Sequence, residues 1–275
     1  MEYGGTPGDP DIDISASTKI NIASITNTVP PTPICGSGSV NLEATASSGD
    51  VVWFDSLTAT TPVFTGATFT TPVINTTTSY YALASVNGCL EGKRTEVVAT
   101  VNPIPSIDTI TEDTVCEGES GTLSVTVSQG TVSWFNTSVG GSSIAIGTSF
   151  TTPVLSSTIT YYVEVTSNGC TTAMREPVTL TVLQTPAPTG NNIQEFCDIE
   201  NTTLADLVVT GTAILWYSAD SGGTALMDST PLLDSTTYFA SQTIAGCEGS
   251  ERLPVEVFIY DTVIPLLPNE IDPME

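Results

Sequence analysis

Histidine is absent from this 275-residue chain, and only five lysines and arginines stand against 30 aspartates and glutamates. General acid–base and triad chemistry draws mainly on histidine, and the chain has no glycine-rich phosphate loop. The sequence therefore predicts a protein that is not an enzyme. A net charge of −25 disfavours binding to nucleic-acid backbones. No apolar run approaches the roughly 20 residues needed to cross a bilayer, so we expect no membrane insertion.

One motif occurs three times in the chain, and the first cysteines of successive copies are 81 residues apart. Each copy has a cysteine, a tryptophan, an aromatic pair, a second cysteine after a glycine, and an arginine. An internal repeat of this length indicates one folding unit per copy. The copies place these residues at Cys35, Trp53, Tyr80–Tyr81, Cys89 and Arg94; at Cys116, Trp134, Tyr161–Tyr162, Cys170 and Arg175; and at Cys197, Trp216, Tyr238–Phe239, Cys247 and Arg252.

The six cysteines fall as one pair per repeat. An even count at a repeated spacing favours disulfides and an oxidising compartment, so we expect one bond inside each repeat. The alternatives are reduced, buried thiols or a metal site, and the second lacks both a Cys-x-x-Cys pair and a histidine co-ligand. The expected bonds are Cys35–Cys89, Cys116–Cys170 and Cys197–Cys247.

Short runs rich in Val, Thr and aromatic residues, separated by turn signals, predict an all-β fold of three tandem Ig-like sandwiches in an extended, bead-like arrangement. Proline-containing joints separate the copies. The predicted divisions are an N-terminal linker over 1–23, repeats over 24–105, 106–187 and 188–262, and a C-terminal linker over 263–275.

The recurring tryptophans could stack on sugars, but a residue at a fixed place in every repeat is more simply a core residue. For the recurring arginines, a ligand-binding role competes with pairing to an acid or stacking on an aromatic ring within the same repeat. The predicted core comprises Trp53, Trp134, Trp216, Tyr81, Tyr162 and Phe239.

Acidic residues cluster near the joints and in the N-terminal segment, where Asp9, Asp11 and Asp13 alternate with other residues. Calcium binds clustered oxygen ligands, so calcium bracing of the joints is one interpretation and solvated surface charge is the other. We expect no other cofactor. The joint acids are Asp108, Glu112, Asp113, Glu117 and Glu119 at the first joint, and Glu195, Asp198 and Glu200 at the second.

The motif, with Phe-Thr-Thr-Pro-Val at 69–73 and 150–154 and Asn-Gly-Cys at 87–89 and 168–170, resembles the Ig-like repeats of very large Bacteroidetes surface proteins. Those include gliding-motility adhesins of the SprB kind and other cargo of the type IX secretion system. The resemblance implies export and display at the bacterial cell surface. The sequence departs from the expected pattern in two ways. The cysteines are placed unlike the disulfide of immunoglobulin domains, and the C-terminal sorting domain expected of such cargo is missing.

The first residues lack the basic and apolar regions of a signal peptide, so we expect a segment of a larger secreted protein. We predict a structural stalk that presents a distal binding region and bears mechanical load. The expected partners are other domains of the parent chain, and surface polysaccharide or protein ligands. Two alternatives remain open: an adhesive module that itself binds polysaccharide or protein, and a non-catalytic spacer of a secreted polysaccharide-degrading enzyme.

Overall fold

The computed structural model describes residues 23–90 and 92–261. Apart from Ala23, the predicted linkers and the aspartates at 9, 11 and 13 lie outside the described residues. Within these residues, regular structure is almost entirely β, with two short 3-10 helices. No helix among them is long and apolar enough to cross a membrane.

Nine strands form the first set, which holds one sheet in the order β1-β3-β6, a second in the order β5-β4-β7-β8, and a parallel pair of β2 with β9. These strands are β1 Ile25–Val29, β2 Ile34–Cys35, β3 Asn41–Ala46, β4 Asp50–Phe54, β5 Phe64–Thr65, β6 Thr68–Thr70, β7 Thr78–Ser85, β8 Thr95–Ala99 and β9 Val101–Asn102.

The second set repeats this plan, with one sheet in the order β10-β12-β15 and another in the order β11-β18-β16-β13-β14. Its strands are β10 Ile107–Thr111, β11 Asp113–Cys116, β12 Thr122–Val127, β13 Thr131–Phe135, β14 Ala145–Ile146, β15 Ser149–Thr151, β16 Ile159–Ser167, β17 Cys170–Thr171 and β18 Glu176–Leu183.

The third set is looser and includes the two 3-10 helices. It holds a pair β19-β21, a sheet in the order β20-β26-β23-β22 and a pair β24-β25. Its elements are β19 Thr189–Gly190, β20 Ile193–Cys197, η1 Asp198–Glu200, η2 Leu204–Asp206, β21 Val209–Thr210, β22 Leu215–Tyr217, β23 Thr236–Ser241, β24 Thr243–Ile244, β25 Cys247–Glu248 and β26 Leu253–Tyr260.

Each set encloses one hydrophobic core between its sheets. In the first set, Leu42 and Ala44 alternate with exposed residues along β3 and share a cluster with Trp53 from the facing sheet. Side chains alternate between the two faces of a strand, so this pattern buries one face of each sheet. The result is a two-layer β-sandwich.

The three tryptophans lie inside these cores. Trp53 and Trp134 are fully buried and Trp216 is 4% exposed. A buried indole N–H needs an acceptor. Trp53 donates to the Gly66 carbonyl at 2.9 Å, and Trp134 donates to the Gly147 carbonyl at 2.8 Å. Trp53 and Trp134 therefore each hold the turn that contains the acceptor glycine, as well as filling the core.

The predicted aromatic partners of the tryptophans are off by one residue. Trp53 lies directly opposite Ala82, so Tyr80, two residues before Ala82, shares its face and is buried. Tyr81 points the other way and packs, half-buried, against the separate cluster of Val52, Phe54 and Leu83. The same alternation corrects the other two repeats: Tyr161 and Tyr238 are buried, while Tyr162 and Phe239 are only partly covered.

The chain divides into two compact units. One holds the described residues up to Ile104 together with Ser167–Thr171, and the other holds Pro105–Thr166 and the described residues from Thr172 onward. The turn that carries Cys170 thus belongs to the same unit as the first set of strands, although it is contiguous in sequence with the second set.

Candidate functional site

The first cysteine of each repeat lies at the end of a short strand that runs parallel to the last strand of that repeat. Cys35 is opposite Asn102 in this pairing. Cys116 is opposite Leu183, and Cys197 is opposite Tyr260. The parallel edge pair holds the first cysteine beside the C-terminal end of its own repeat.

The second cysteine of each repeat follows a tight turn whose two central residues have positive φ. These are Asn87 (55°) with Gly88 (79°), Asn168 (48°) with Gly169 (79°), and Ala245 (50°) with Gly246 (87°). A two-residue hairpin of this type requires φ above zero at both positions, which asparagine and glycine adopt with little strain. The turn places the second cysteine at the tip beyond the strand that carries the aromatic pair of the repeat.

Disulfides join consecutive repeats. Cys35 is bonded to Cys170 with a Cα–Cα distance of 5.6 Å, and Cys116 is bonded to Cys247 with a Cα–Cα distance of 5.4 Å. Cys89 and Cys197 carry free, exposed thiols. The expected bonds Cys35–Cys89, Cys116–Cys170 and Cys197–Cys247 are therefore wrong.

The reason lies in the strand between the cysteines. In the first repeat, Thr78 at the start of β7 is opposite Ala99, three residues before the partner of Cys35, whereas Cys89 lies beyond the other end of β7. An eight-residue strand spans roughly 25 Å. A disulfide tolerates a Cα–Cα separation of at most about 7 Å. The two cysteines of one repeat cannot meet.

Polar contacts accompany each disulfide. At the first, the Asn102 side chain donates to the Asn168 carbonyl at 2.9 Å. At the second, the Thr185 hydroxyl donates to the Cys247 carbonyl and the Gln242 amide donates to the Pro186 carbonyl, both at 2.9 Å. Both hairpin cysteines are buried, at 1% exposure for Cys170 and 4% for Cys247. Backbone carbonyls beside both disulfides therefore accept side-chain hydrogen bonds.

Each repeat also contains an arginine stacked on an aromatic ring. The Arg175 guanidinium lies 3.3 Å from the Phe135 ring centre and donates to the Thr137 and Gly140 carbonyls at 2.9 and 2.6 Å. It also pairs with Glu164 at 3.3 Å. The equivalent stacks are Arg94 on Phe54 and Arg252 on Tyr217, again with donation to loop carbonyls.

This arrangement assigns the arginines a structural use. A guanidinium has its donors in a rigid planar fork, and its face is attracted to an aromatic ring. Arg175 uses both properties, since its side chain is 10% exposed and its donors are directed at loop carbonyls. The stacked arginine therefore holds the loop that follows the tryptophan strand against the sheet.

The joint acids accept hydrogen bonds from separate partners. Asp113 accepts from the Thr122 backbone N–H, Glu112 from the Thr179 N–H and Glu195 from the Tyr260 hydroxyl. Among the described residues, no three or more Asp, Glu, Cys or His side chains are grouped so that they could hold a metal ion. Three of the acids that the calcium interpretation named therefore act as local hydrogen-bond acceptors.

The third repeat carries a polar cluster that the repeat pattern does not indicate. The Ser241 and Tyr217 hydroxyls each donate to the same Glu248 oxygen at 2.6 Å. These two hydrogen bonds hold the pKa of Glu248 below its ordinary value. Burial, with the hydrogen bond to Glu248, raises the pKa of Tyr217. Glu248 directly follows a disulfide cysteine, so the cluster anchors the bonded hairpin to the sheet.

The second repeat exposes apolar side chains beside a shallow cavity. Val139 is 86% exposed and Met174 is 75% exposed. Both residues line a cavity of about 360 Å³ that is formed by residues of 138–140 and 172–175 together with Glu164. Apolar exposure next to a concavity is a property of some binding surfaces.

A family model described as "Ig-like domain CHU_C associated" matches residues 23–103, 105–183 and 184–260. No curated protein matches the sequence.

Solved structures of tandem Ig domains match the chain at low identity and low TM-score. A titin I-band fragment, I67–I69, is 13% identical, with 87% of this chain and 99% of that chain covered and a TM-score of 0.41. Sidekick-1 immunoglobulin domains 1–5 are 13% identical at a TM-score of 0.40, and the match covers 87% of this chain and 59% of that one. The first three domains of the bacteriophage RB49 outer capsid protein Hoc are 13% identical at a TM-score of 0.36, with 87% and 99% covered.

Proposed function

Because this chain belongs to the family of CHU_C-associated Ig-like domains and carries three copies in tandem, we propose that it is a structural stalk segment of a secreted bacterial surface adhesin. In this role it presents a distal binding region and bears mechanical load. The other domains of the parent protein are its partners. Disulfides persist in oxidising, extracellular compartments, which fits display outside the cell.

The disulfide pattern is the observation that carries this proposal. Cys35–Cys170 and Cys116–Cys247 each link one repeat to the next. A bond inside a repeat would protect only that repeat, whereas a bond between repeats holds neighbours together when either one unfolds. Such bonds suit a chain that is pulled from both ends.

The interior of each repeat fits the same role. In the first two repeats a fully buried tryptophan hydrogen-bonds a later turn, and in all three an arginine stacks on an aromatic ring and binds loop carbonyls. These contacts recur at fixed positions and hold loops to the β-sheets.

Retention under flow tests the proposal. A display protein would carry this 275-residue segment between a cell anchor and a binding tip of known ligand. A second display protein, identical except for C35S, C170S, C116S and C247S, would lack both disulfides. We expect equal binding to ligand-coated surfaces without flow, and earlier detachment of the cysteine variant as shear rises.

The isolated segment, assayed on immobilised polysaccharides and surface proteins, serves as the second arm. We expect no binding there. Equal retention of both display proteins under shear would contradict the load-bearing role. Binding by the isolated segment would instead favour the adhesive module.

The adhesive module has one observation in its favour, the exposed Val139 and Met174 beside the cavity of the second repeat. V139D and M174D would place charge on this patch without touching the core. If the isolated segment binds a polysaccharide or protein and both variants abolish that binding while melting unchanged, this function replaces the stalk. The matched control is L57D, at a residue that is also well exposed but lies in the first repeat.

A further inference from the structure

We propose that Cys89 and Cys197 are complementary half-sites of the same inter-repeat bond, and that each takes the matching cysteine of another Ig-like repeat of this kind. Cys197 would bond the hairpin cysteine of a following repeat. Cys89 would bond the edge cysteine of a preceding repeat. A second copy of this chain offers both partners. The inference rests on cysteine geometry and holds whether or not the segment bears load.

The bonds already formed define which positions react. Hairpin cysteines Cys170 and Cys247 are bonded to edge cysteines Cys35 and Cys116. Cys89 occupies the hairpin position of the first repeat, and Cys197 occupies the edge position of the third. The free thiols are therefore one of each kind, and each corresponds to a position that is bonded wherever a neighbouring repeat is available.

The hairpin at Cys89 already has the backbone conformation of the bonded hairpins. The residues before it, Asn87 and Gly88, have φ values of 55° and 79°, close to the 48° and 79° at the turn before Cys170. A β-bridge joins Val86 to Cys89, and the equivalent residues Ile244 and Cys247 are paired in the third repeat. Cys170 is 1% exposed, whereas Cys89 is exposed. The hairpin keeps its form without the partner that buries the cysteine.

The strand edge at Cys197 likewise has the pairing and the backbone hydrogen bond of the bonded edge at Cys116. The parallel pairing of β20 with β26 places Cys197 opposite Tyr260, as β11 with β18 places Cys116 opposite Leu183. The Cys197 backbone N–H donates to Glu200, as the Cys116 N–H donates to Glu119, three residues on in both cases. The edge that carries the reactive thiol is thus the same in the bonded and the free repeat.

Bond formation is thiol–disulfide exchange with a small-molecule disulfide such as oxidised glutathione. The Cys197 thiolate attacks one glutathione sulfur and releases one glutathione thiolate. The Cys89 thiolate of a second copy then attacks the Cys197 sulfur of that mixed disulfide and releases the second glutathione. Two protein thiols are oxidised to one disulfide, and one glutathione disulfide is reduced to two thiols, with the two protein protons passing to solvent or to the released thiolates.

The experiment mixes two single variants of the whole chain. C89S retains only the edge thiol and C197S retains only the hairpin thiol. Each is incubated alone, and the two are mixed in equal amounts, in a glutathione redox buffer at pH 8. Added salt screens the repulsion between copies that each carry a net charge of −25. Nitrogen-15 labelling of one variant lets mass spectrometry distinguish the products after non-reducing electrophoresis.

We expect the mixture to form a disulfide-linked heterodimer through Cys197 of one copy and Cys89 of the other. Each variant alone should remain monomeric, and the wild-type chain should form a ladder of oligomers. The C89S/C197S double variant is the control for rearrangement of the two existing bonds and should form no oligomer. Thermal melts should match the wild type because both substituted residues are exposed.

Two outcomes overturn the proposal. One is a statistical mixture in which homodimers of each variant accompany the heterodimer, since this means that any two exposed thiols react. The other is a mixture that stays monomeric while the melts show intact folds. A heterodimer joined through any other cysteine pair, seen in the peptide map, also contradicts the assignment.

Discussion

Interleaved disulfides make the length of the unfolded chain respond to cysteine substitution in a non-additive way. Under a load applied at the two termini, the shortest covalent path crosses from Cys35 to Cys170, runs back to Cys116 and crosses to Cys247. Only the ~54 residues between Cys116 and Cys170 are stretched between those bonds, at about 3.3–3.6 Å each. The other residues between Cys35 and Cys247 carry no tension.

Removing one bond diverts the path by a short distance. With C35S and C170S, the load runs along the backbone to Cys116 and gains ~27 residues, or roughly 90 Å. With C116S and C247S, it gains ~23 residues, or roughly 80 Å. Removing both bonds restores the whole backbone between Cys35 and Cys247 and adds ~158 residues, or roughly 520 Å. That gain is about three times the sum of the other two.

Single-molecule force spectroscopy measures these lengths as the maximum extension of the fully unfolded, unreduced chain. C89S/C197S is the matched control and should leave the length unchanged, since both thiols are free. Bonds inside each repeat predict different values: about 360 Å gained with C35S/C170S, and about 350 Å gained with the control pair. The interleaved arrangement would be refuted if the gains in extension from the two bonds simply added. It would also be refuted if C89S/C197S increased the extension.

Three further predictions concern the interior of the repeats. W134A should lower the free energy of unfolding of the second repeat by about 3–5 kcal/mol in chemical denaturation, because Trp134 is fully buried and its N–H is bonded; a loss below about 1 kcal/mol would contradict its place in the core. R175K should lower it by about 1–2 kcal/mol, since lysine cannot stack on Phe135 while donating to two carbonyls, whereas K93A at an exposed site should stay within about 0.5 kcal/mol; equal effects would contradict the stack. The pKa of Glu248 is lowered by folding, so its contribution is fully present above its ordinary pKa of 4.5 and is lost as the pH falls through the folded value. The gap in melting temperature between wild type and E248Q should therefore shrink below about pH 4.5, and a gap independent of pH would rule out this cluster as its source.

The repeat and the fold class could be predicted from the sequence because both depend on local patterns. Trp53, Trp134 and Trp216 recur at one place in each copy, and alternating apolar residues indicate half-buried strands. The family match and the β-sandwich cores agree with the all-β, Ig-like prediction.

The buried tyrosine was missed by one residue for a physical reason. Both members of Tyr80–Tyr81 are apolar enough for a core, and only the pairing of β7 with β4 decides which face each one takes. Trp53 opposite Ala82 places Tyr80 inward. A sequence contains no direct record of that register.

The cysteine pairing could not be obtained from spacing, because a repeat makes bonds within copies and bonds between copies equally periodic. The discriminating signal is strand length. Cys89 follows an eight-residue strand whose opposite end lies near Cys35, and this separates the two thiols by far more than a disulfide spans. Stacking on an aromatic ring within the repeat was one of the roles predicted for Arg94, Arg175 and Arg252, because they recur as regularly as the tryptophans, and all three stack in this way.

Peptide mapping without reduction tests the central claim most directly. The unreduced chain, with free thiols blocked before digestion, is cleaved and its linked peptides are identified by mass spectrometry. The account predicts linked peptides containing Cys35 with Cys170 and Cys116 with Cys247, and blocked Cys89 and Cys197 in the monomer. Linked peptides containing Cys35 with Cys89, or Cys116 with Cys170, would contradict it.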